Sequence, residues 1–409
     1  MRYLLLIALF VFSLYAVDLK DILNNTSSKS GYLKAKEYEL LSIGEDIDSI
    51  KSLYSPSLNF VASVDFNSPK NLTTPGRVMS LSILLNYKLY DSGKRENEIY
   101  ANRLQKVAKE FGLKALKRSL SIKVVNLYYG YFKAISNKSA IVAREKEIKA
   151  QITRVKKLID ANLATKVEID RLEATLAQSR YALDSINLSI KSFKERLKAV
   201  SHLNFKNLKY SSFKEPKISL STNENILKLR AKANALNYNS KAIEALSKPQ
   251  VDLKYRYSRL KYKKVVPNRV FDLPNHTSKL SLQGALRVYD GGVINHKSQS
   301  IKYQKLALLA RANELRREQI RDFKLAKLKL KTLKSSIKSA KMALKASKSS
   351  YRDIKKKYSA GLVDYTVYID SLTQLTISKA QYKEALYNLE VAKALVYYYG
   401  GKNLKGYIK

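Results

Sequence analysis

The sequence contains two copies of one pattern. The segment Tyr90–Gly93, which reads Tyr-Asp-Ser-Gly, returns 199 residues later as Tyr289–Gly292, which reads Tyr-Asp-Gly-Gly. Ala161–Leu163 returns at the same distance as Ala360–Leu362. Self-similarity at a fixed distance is typical of a fold built from repeated units, and it constrains the architecture more than composition does. The chain is therefore expected to consist of two structural repeats.

Each repeat is predicted to hold the same elements in the same order: a helix, two strands, a very long helix, and a second helix after a tight turn. The first repeat covers 17–201, with a helix at 27–53, strands at 57–67 and 78–90, and helices at 92–160 and 167–199. A linker at 202–221 joins it to the second repeat at 222–409. That repeat has a helix at 222–247, strands at 250–262 and 277–289, and helices at 292–359 and 365–399.

The two longest predicted helices, 92–160 and 292–359, contain no proline. Apolar residues recur in the first of them at spacings of four and three, as in Ile148, Ile152 and Val155. This is the pattern of a coiled-coil seam. At 1.5 Å per residue each helix would be roughly 100 Å long.

Short turns are predicted between the long helix and the helix that follows it in each repeat. Asn162 and Gly361 occupy equivalent places there. Both residue types readily take the left-handed conformation that ends a helix. Thr165 and Glu168 form the T-x-x-E pattern of a capping box, and Asp364 can cap the last helix.

The four predicted strands alternate apolar and polar side chains, which gives each strand one apolar and one polar face. Strands of about ten residues with this pattern span outer membranes, with lipid on one side and water on the other. A half-buried sheet in a soluble protein has the same period, so the strands alone leave both alternatives open. The residues predicted to face lipid are Leu58, Phe60, Val64, Leu81, Ile83, Leu280 and Leu282.

The N-terminus favours the membrane alternative. Arg2 precedes an apolar run that continues to Ala16, and charged residues begin at Asp18. This arrangement is typical of a cleaved export signal, because a membrane-spanning helix needs about 20 apolar residues. Residues 1–16 are therefore predicted to be a signal peptide.

The net charge of +43 at pH 7 admits two interpretations. It could belong to a basic coiled-coil protein, exported or cytoplasmic, that organises a complex or binds nucleic acid. It could also be the solvated face of long helices. The basic residues are spread along the whole chain and follow a predicted export signal. Both facts favour the second interpretation, so no nucleic-acid partner is expected.

No residue pattern points to catalysis. The chain has no cysteine and three scattered histidines, His202, His276 and His296, so it lacks thiolate chemistry and a cluster of metal ligands. No Ser/His/Asp set, carboxylate pair or phosphate-binding loop stands out either. The sequence therefore predicts a protein that is not an enzyme and uses no cofactor or metal.

Four amphipathic strands cannot form a closed barrel, and lipid does not tolerate an open sheet edge. The smallest closed barrels have about eight strands. Two chains would supply eight strands around a plugged interior, whereas three would supply twelve and leave room for a channel. If the barrel conducts, three or more copies of the chain are therefore favoured.

The most specific residues are the two Tyr-Asp-x-Gly segments, the aromatic cluster Tyr128–Phe132, and the stretch Tyr358–Asp370 with Gln381, Tyr382, Tyr387 and Gly400 after it. Together with the repeated order of elements from about Lys20 to Gly401, they resemble the TolC family of outer-membrane efflux proteins. The resemblance implies a mostly α fold with barrel strands and two repeats of helix, β-hairpin, long helix and helix. In that fold three chains form a twelve-stranded barrel on a twelve-helix periplasmic tunnel.

The same resemblance implies a function and a set of partners. The protein would be the exit duct of a tripartite efflux pump or a type I secretion system, a passive conduit for small molecules or unfolded protein. It would lie in the cell outer membrane with a long periplasmic portion. Its implied partners are two further copies of itself, a periplasmic adaptor protein, an inner-membrane pump and outer-membrane lipid.

In this family the turns between consecutive helices close the periplasmic mouth, where rings of aspartate narrow the bore. By its place in the motif, Asp370 matches one of those aspartates, although a charge in the first turns of a helix is also favoured by the helix dipole. Val367 stands where the family has a second aspartate, and Val363 where some members have a gate arginine. The turn residues implied to meet the adaptor are Asn162, Leu163, Gly361 and Leu362.

Overall fold

A computed structural model describes residues 17–70, 74–161, 165–263 and 273–409 of the chain. The predicted signal peptide at 1–16 and the turn residues Asn162 and Leu163 lie outside these ranges. The described residues form seven α-helices and four β-strands. In chain order they are α1 (Leu19–Lys29), α2 (Gly31–Ser52), β1 (Ser57–Phe66), β2 (Arg77–Tyr90), α3 (Lys94–Asp160), α4 (Lys166–Ser201), α5 (Glu224–Glu244), β3 (Gln250–Lys263), β4 (His276–Ala285), α6 (Val293–Ser359) and α7 (Tyr365–Tyr399).

These elements belong to two compact units. The first, here called the helical unit, contains the described residues up to Ala35 together with Leu113–Glu224 and Arg316–Lys409. The second, called the sheet unit, contains Lys36–Gly112 and Asn225–Leu315. Each unit takes segments from both halves of the sequence, so the two repeats do not correspond to two separate compact units.

The main core of the helical unit lies where aromatic residues of α3 meet the segment after α4 and the end of α7. Tyr128 and Tyr129 are buried there together with Phe213 and Tyr397. The Tyr129 hydroxyl donates to the Ser211 carbonyl oxygen at 2.9 Å, which satisfies the one polar atom of an otherwise apolar side chain. The aromatic cluster seen in the sequence is thus part of a hydrophobic core.

A second apolar cluster of the helical unit follows the coiled-coil spacing of α3. Ile148 and Val155 pack with Leu172 and Leu176 of α4 and with Leu372 of α7. All five side chains are buried. The alternation of three- and four-residue steps places Ile148 and Val155 on one side of α3, where the neighbouring helices cover them.

The sheet unit contains one antiparallel sheet with the strand order β1-β2-β3-β4. Its register aligns Leu58 with Leu85, Leu85 with Tyr255, and Tyr255 with Leu280, in one row across all four strands. Because alternate residues of a strand project to the same side, this register gathers apolar side chains on one face.

The first helical segment differs from the predicted single helix at 27–53. The structure has two helices there, and α1 already begins at Leu19. Asp18 and Asp21 form a capping box at its start, while Ile22 and Leu23 are buried in the main core. The stretch is rich in Asn and Ser, which have low helix propensity. Packing of its few apolar side chains overrides that weak propensity.

The last strand is shorter than the predicted 277–289, because β4 ends at Ala285. Ala285 pairs with Gln250, which is the first residue of β3 and directly follows Pro249. Proline has no N–H to donate, so the ladder stops there and residues 286–289 have no strand to pair with.

Candidate functional site

Gly361 and Leu362 lie in the turn between α6 and α7. Gly361 has a φ of +73°, and its N–H donates to the Tyr358 carbonyl oxygen at 3.2 Å. The N–H of Leu362 donates to the Lys357 carbonyl oxygen at 2.9 Å, which completes a Schellman cap. Glycine suits this position because residues with a Cβ rarely adopt a positive φ. The cap leaves the Leu362 side chain 72% exposed.

Asp364 caps the start of α7, as the sequence predicts. Its Oδ1 accepts a hydrogen bond from the Val367 N–H at 3.1 Å. The capping box predicted for Thr165 and Glu168 is wrong, since the Thr165 side chain makes no capping hydrogen bond. The Glu168 carboxylate instead accepts from the Tyr358 hydroxyl of α6, because a largely buried tyrosine hydroxyl needs an acceptor. This bond ties α4 to α6.

A group of five side chains connects α3, α6 and α7 near this turn. Tyr368 of α7 is buried, and its hydroxyl donates to Glu147 Oε1 of α3 at 2.8 Å. Lys355 Nζ of α6 lies 2.6 Å from the same oxygen. The ring of Tyr368 stacks on that of Tyr358, with 4.7 Å between centroids, and the Tyr351 centroid is 6.1 Å away. We call these five residues the tyrosine clamp.

Burial and hydrogen bonding act in opposite directions on Glu147. Burial raises the pKa of its carboxyl, but hydrogen bonds from Lys355, Tyr368 and Tyr351 outweigh burial, and the net pKa lies below the ordinary value of 4.5. Burial and the Glu147 acceptor raise the pKa of the Tyr368 hydroxyl. At neutral pH the carboxylate is therefore charged and Tyr368 keeps its proton, so the hydrogen bond is maintained.

Sequence reasoning missed the clamp. The signal that could have found it is the pair Tyr351 and Tyr358, which stand seven residues apart in the apolar seam of α6. Their partner Glu147 is separated from Tyr368 by 221 residues. No local spacing joins residues so far apart in the chain.

Asp370 is exposed on α7, two residues after Tyr368. Two residues correspond to about 200° around a helix, so Asp370 projects away from the clamp. Val367 is 42% exposed and Val363 is half-buried. Within the described ranges, no hydrogen bond or ion pair involves Asp370. Its carboxylate is therefore available to another molecule.

The seven residues predicted to face lipid all project from one face of the sheet. The register pairs Phe60 with Ile83 and Leu282 with Leu253, in addition to the row through Leu58 and Leu280. These side chains are mostly open to solvent in the single chain, with 71% exposure at Phe60. Toward one end the same face becomes basic. There Arg259 and Lys261 pair with Leu81 and Met79.

The opposite face of the sheet is held by polar contacts between strands. Ser82 Oγ lies 2.8 Å from Ser258 Oγ, and Ser63 Oγ lies 2.9 Å from Ser80 Oγ. Near the other end of the sheet, Lys88 Nζ of β2 lies 3.2 Å from Asp252 Oδ1 of β3. The sheet thus has one apolar face and one hydrogen-bonded polar face.

The two Tyr-Asp-x-Gly segments directly precede the N-termini of α3 and α6. In the second, Asp290 accepts from the N–H groups of Gly292 and Ile294, each at 2.9 Å. In the first, Asp91 accepts from the Arg95 N–H at 3.1 Å and from Arg95 Nε at 2.6 Å. Each aspartate caps the N-terminus of a long helix, where a negative charge is favourable.

Across the described ranges, no group of three or more His, Asp or Glu side chains is placed to hold a metal ion. None of the described helices is both long and apolar enough to cross a membrane.

Residues 216–400 match the sequence model of a family described as outer membrane efflux protein. The matched range contains α5, both strands of the second half and the pair α6 and α7. Over these 185 of its 409 residues, the chain is similar to outer membrane efflux proteins. No curated protein sequence gives a significant match.

Solved structures of outer-membrane channels have the same fold. VceC from Vibrio cholerae has a TM-score of 0.81 at 16% identity, over 94% of this chain and 96% of VceC. The CmeC channel of Campylobacter jejuni has a TM-score of 0.82 at 16% identity, over 95% of this chain and 86% of CmeC. The MtrE channel of Neisseria gonorrhoeae has a TM-score of 0.80 at 14% identity, over 94% of this chain and 89% of MtrE. At these identities the likeness concerns the fold.

Family and fold together confirm three predictions made from the sequence. The fold is of the TolC type, the protein is located in the outer membrane, and its role is that of an efflux channel protein. The alternative of a basic coiled-coil protein that binds nucleic acid finds no support in them. The family and the fold are those of channel proteins and not of enzymes.

Proposed function

We propose that three copies of this chain form one outer-membrane exit duct, a passive conduit driven by a partner pump. The observation that carries this proposal is the sheet. Among the described strands, β1 and β4 each pair on one side only, and one face of the sheet is apolar and exposed. An unpaired strand edge is unstable in lipid, because its N–H and C=O groups find no partner there. Pairing β4 of one copy with β1 of the next removes the open edges.

The number of copies follows from the bore that a duct requires. Two copies would supply eight strands, and the interior of an eight-stranded barrel is filled by side chains. Three copies supply twelve strands and leave an open channel, as the resemblance to the TolC family implies. The corresponding helices would form the twelve-helix periplasmic tunnel of that family.

The experiment that tests this assembly is a mass measurement on the detergent-extracted protein. With 46.6 kDa per chain, we expect a protein mass of about 140 kDa after subtraction of bound detergent. The mature trimer will be slightly lighter if the signal peptide is removed. A stable water-soluble monomer would rule out the barrel.

The turns between α3 and α4 and between α6 and α7 are the proposed docking site for a periplasmic adaptor protein. The adaptor would connect the duct to an inner-membrane pump. Support comes from the α6–α7 turn, where the Schellman cap holds Gly361 rigidly and presents Leu362 to solvent. Asn162 and Leu163 occupy the equivalent sequence positions and are proposed to share this role, although they lie outside the described residues. The assembly would serve tripartite efflux or type I secretion, with small molecules or unfolded protein as cargo.

The proposed gate is a ring of three Asp370 carboxylates at the periplasmic entrance. Asp370 is exposed and projects away from the tyrosine clamp, which supports a position on the bore. Val367 and Val363 stand where the family has a second aspartate and, in some members, an arginine. The gate of this protein would therefore combine one acidic ring with apolar contacts.

A further inference from the structure

A stripe of basic residues follows one side of α6 through its second half. The apolar seam of this part of the helix repeats every seven residues, with a and d positions that begin at Phe323 and Ala326 and end at Tyr358. From Lys324 to Lys355, every b and every e position, ten in a row, is lysine or arginine. In a heptad the b and e positions are neighbours on one flank of the helix. We call these ten residues the lysine stripe.

The other flank of the same helix is almost free of charge. Between 325 and 350 the c, f and g positions contain one charged residue, Lys329, among Leu, Ser, Thr, Ala and Met. Leu328 and Met342 are 60% and 72% exposed on this flank. Solubility alone would be served by charges of both signs spread over both flanks. The lysine stripe is instead confined to one flank and has a single sign.

Most of the stripe has no counter-charge among the residues that the structure describes. Three of its members have acidic neighbours: Lys334 pairs with Glu215, Arg352 Nε lies 3.7 Å from Asp353 Oδ1, and Lys355 pairs with Glu147. For the other seven, no carboxylate oxygen of a described residue lies within 4.0 Å of the side-chain nitrogen, which is the limit for an ion pair. Lys355 is half-buried, and the other nine side chains are exposed.

We propose that the lysine stripe binds an α-helix of another protein that carries Asp or Glu at the same seven-residue spacing. One heptad rises about 10.5 Å along a helix, so the stripe extends for about 46 Å. Over that distance only a partner with the same repeat keeps its charges opposite those of the stripe, and a helix with heptad-spaced acids has that repeat. This surface lies outside the proposed docking site at the turns, and the inference does not depend on that site.

A second copy of this chain does not supply such a partner. The sequence has 34 acidic residues against 77 Lys and Arg. None of its described helices carries an acidic stripe as long as three heptads. The complementary helix must therefore belong to a different protein.

Three probes separate recognition of a spaced acidic helix from general attraction to negative charge. The first is a synthetic helical peptide with Glu at every b and e position of four heptads. The second has the same composition with the Glu positions shuffled, and the third is heparin, a polyanion without helical spacing. Binding is measured by fluorescence anisotropy on the detergent-solubilised full-chain protein. We expect the spaced peptide to bind at least about tenfold more tightly than the shuffled one, with affinity falling as salt shortens the Debye length.

Two triple variants of equal charge change locate the binding surface. Lys331→Glu/Lys338→Glu/Lys345→Glu reverses three stripe positions, whereas Lys329→Glu/Lys356→Glu/Lys357→Glu reverses three lysines of the same helix off the stripe. We expect the first variant to weaken binding of the spaced peptide by about tenfold or more and the second by less than about threefold. If the first variant does not assemble, Lys331→Gln/Lys338→Gln/Lys345→Gln replaces it.

The outcomes separate cleanly. Equal affinity for the spaced and shuffled peptides, equal binding of heparin, or equal losses in the two triple variants would each overturn the proposal. Any of these results would leave a general polyanion-binding surface or none. Because binding is measured on protein of known oligomeric mass, a failure here is distinct from a failure of the trimeric duct.

Discussion

Two acidic residues of the helical unit show how surroundings decide what a carboxylate can do. Glu147 is held by Tyr368 and Lys355 inside the tyrosine clamp, and both partners are internal to the chain. Asp370 follows two residues after Tyr368 on the same helix but has no partner in the described ranges. The first carboxylate therefore stabilises the packing of three helices. The second carboxylate is free to interact with another molecule.

The prediction for Asp370 concerns ion selectivity. Three copies close together in a narrow bore would bind multivalent cations, because cations offset the mutual repulsion of the carboxylates. The narrowest point of a pore governs its selectivity, so the pore should prefer cations although the chain has a net charge of +43. In planar bilayers, Asp370→Asn should reduce this preference and weaken block by multivalent metal ions by about tenfold or more.

Asp370→Ala is the companion variant, since it removes the carboxylate without leaving a polar isostere. Both variants should assemble normally, because an exposed side chain without partners contributes little to folding. If both conduct and are blocked like the wild type, Asp370 is only a charge at the start of a helix. Val367 and Val363 would then form an apolar gate.

The prediction for Glu147 concerns pH. Its pKa in the folded protein lies below the ordinary 4.5, so it stabilises the fold above that pH and this contribution is lost as the pH falls. A hydrogen bond to a charged group contributes about 1.5–3 kcal/mol. Glu147→Gln should therefore melt at a lower temperature than wild type at pH 7. The difference between the two should shrink toward pH 4.

Tyr368→Phe provides the control for this effect. It removes the donor but leaves the carboxylate paired with Lys355, so it should lower the melting temperature and keep part of the pH dependence. A difference between wild type and Glu147→Gln that stays constant from pH 7 to pH 4 would show that the charge of Glu147 is not what stabilises the clamp.

At the scale of secondary structure, the strands carry the clearest functional contrast, since the two faces of one strand are predicted to meet different solvents. Phe60→Arg would place a charge against hydrocarbon, at a cost of about 2–4 kcal/mol near the membrane midplane. Ser63→Arg changes the polar face of the same strand, where Asp65 is a close neighbour, and should cost far less. The measurement is the yield of membrane-assembled protein. Equal losses in both variants would mean that the face assignment is wrong.

Sequence periodicity was sufficient to predict helices and strands whose contacts repeat at regular intervals along the chain. The period of two predicted the apolar face that the register assembles from Leu58, Leu85 and Leu280. It was insufficient where distant contacts decide. Helix α1 depends on core packing of Ile22, and the failed capping box reflects the competing contact of Glu168 with Tyr358.

At the scale of the whole molecule, the internal repeat of the sequence does not produce two independent bodies. The helical unit combines Leu113–Glu224, which comes mostly from the first repeat, with Arg316–Lys409 from the second, and the sheet unit likewise combines Lys36–Gly112 with Asn225–Leu315. A β-hairpin from each repeat is likewise needed for the four-stranded sheet. Either half alone would leave β2 or β3 with an additional open edge. We infer that both repeats are required for folding of each unit.

The last prediction concerns the contact of the assembled duct with its partners. Leu362 is 72% exposed in a turn whose backbone is fixed by the Schellman cap, so Leu362→Asp removes no core contact and leaves the cap intact. Surface substitutions of this kind usually change stability by no more than about 0.5 kcal/mol. A charge on an apolar docking contact is costly, because it must lose water when the partner binds. Leu362→Asp should therefore abolish efflux or secretion in cells that express the partner proteins, with the yield of trimer unchanged.

The control variant Leu362→Met keeps the apolar contact and should transport normally. Full transport by Leu362→Asp would exclude this turn from the docking surface.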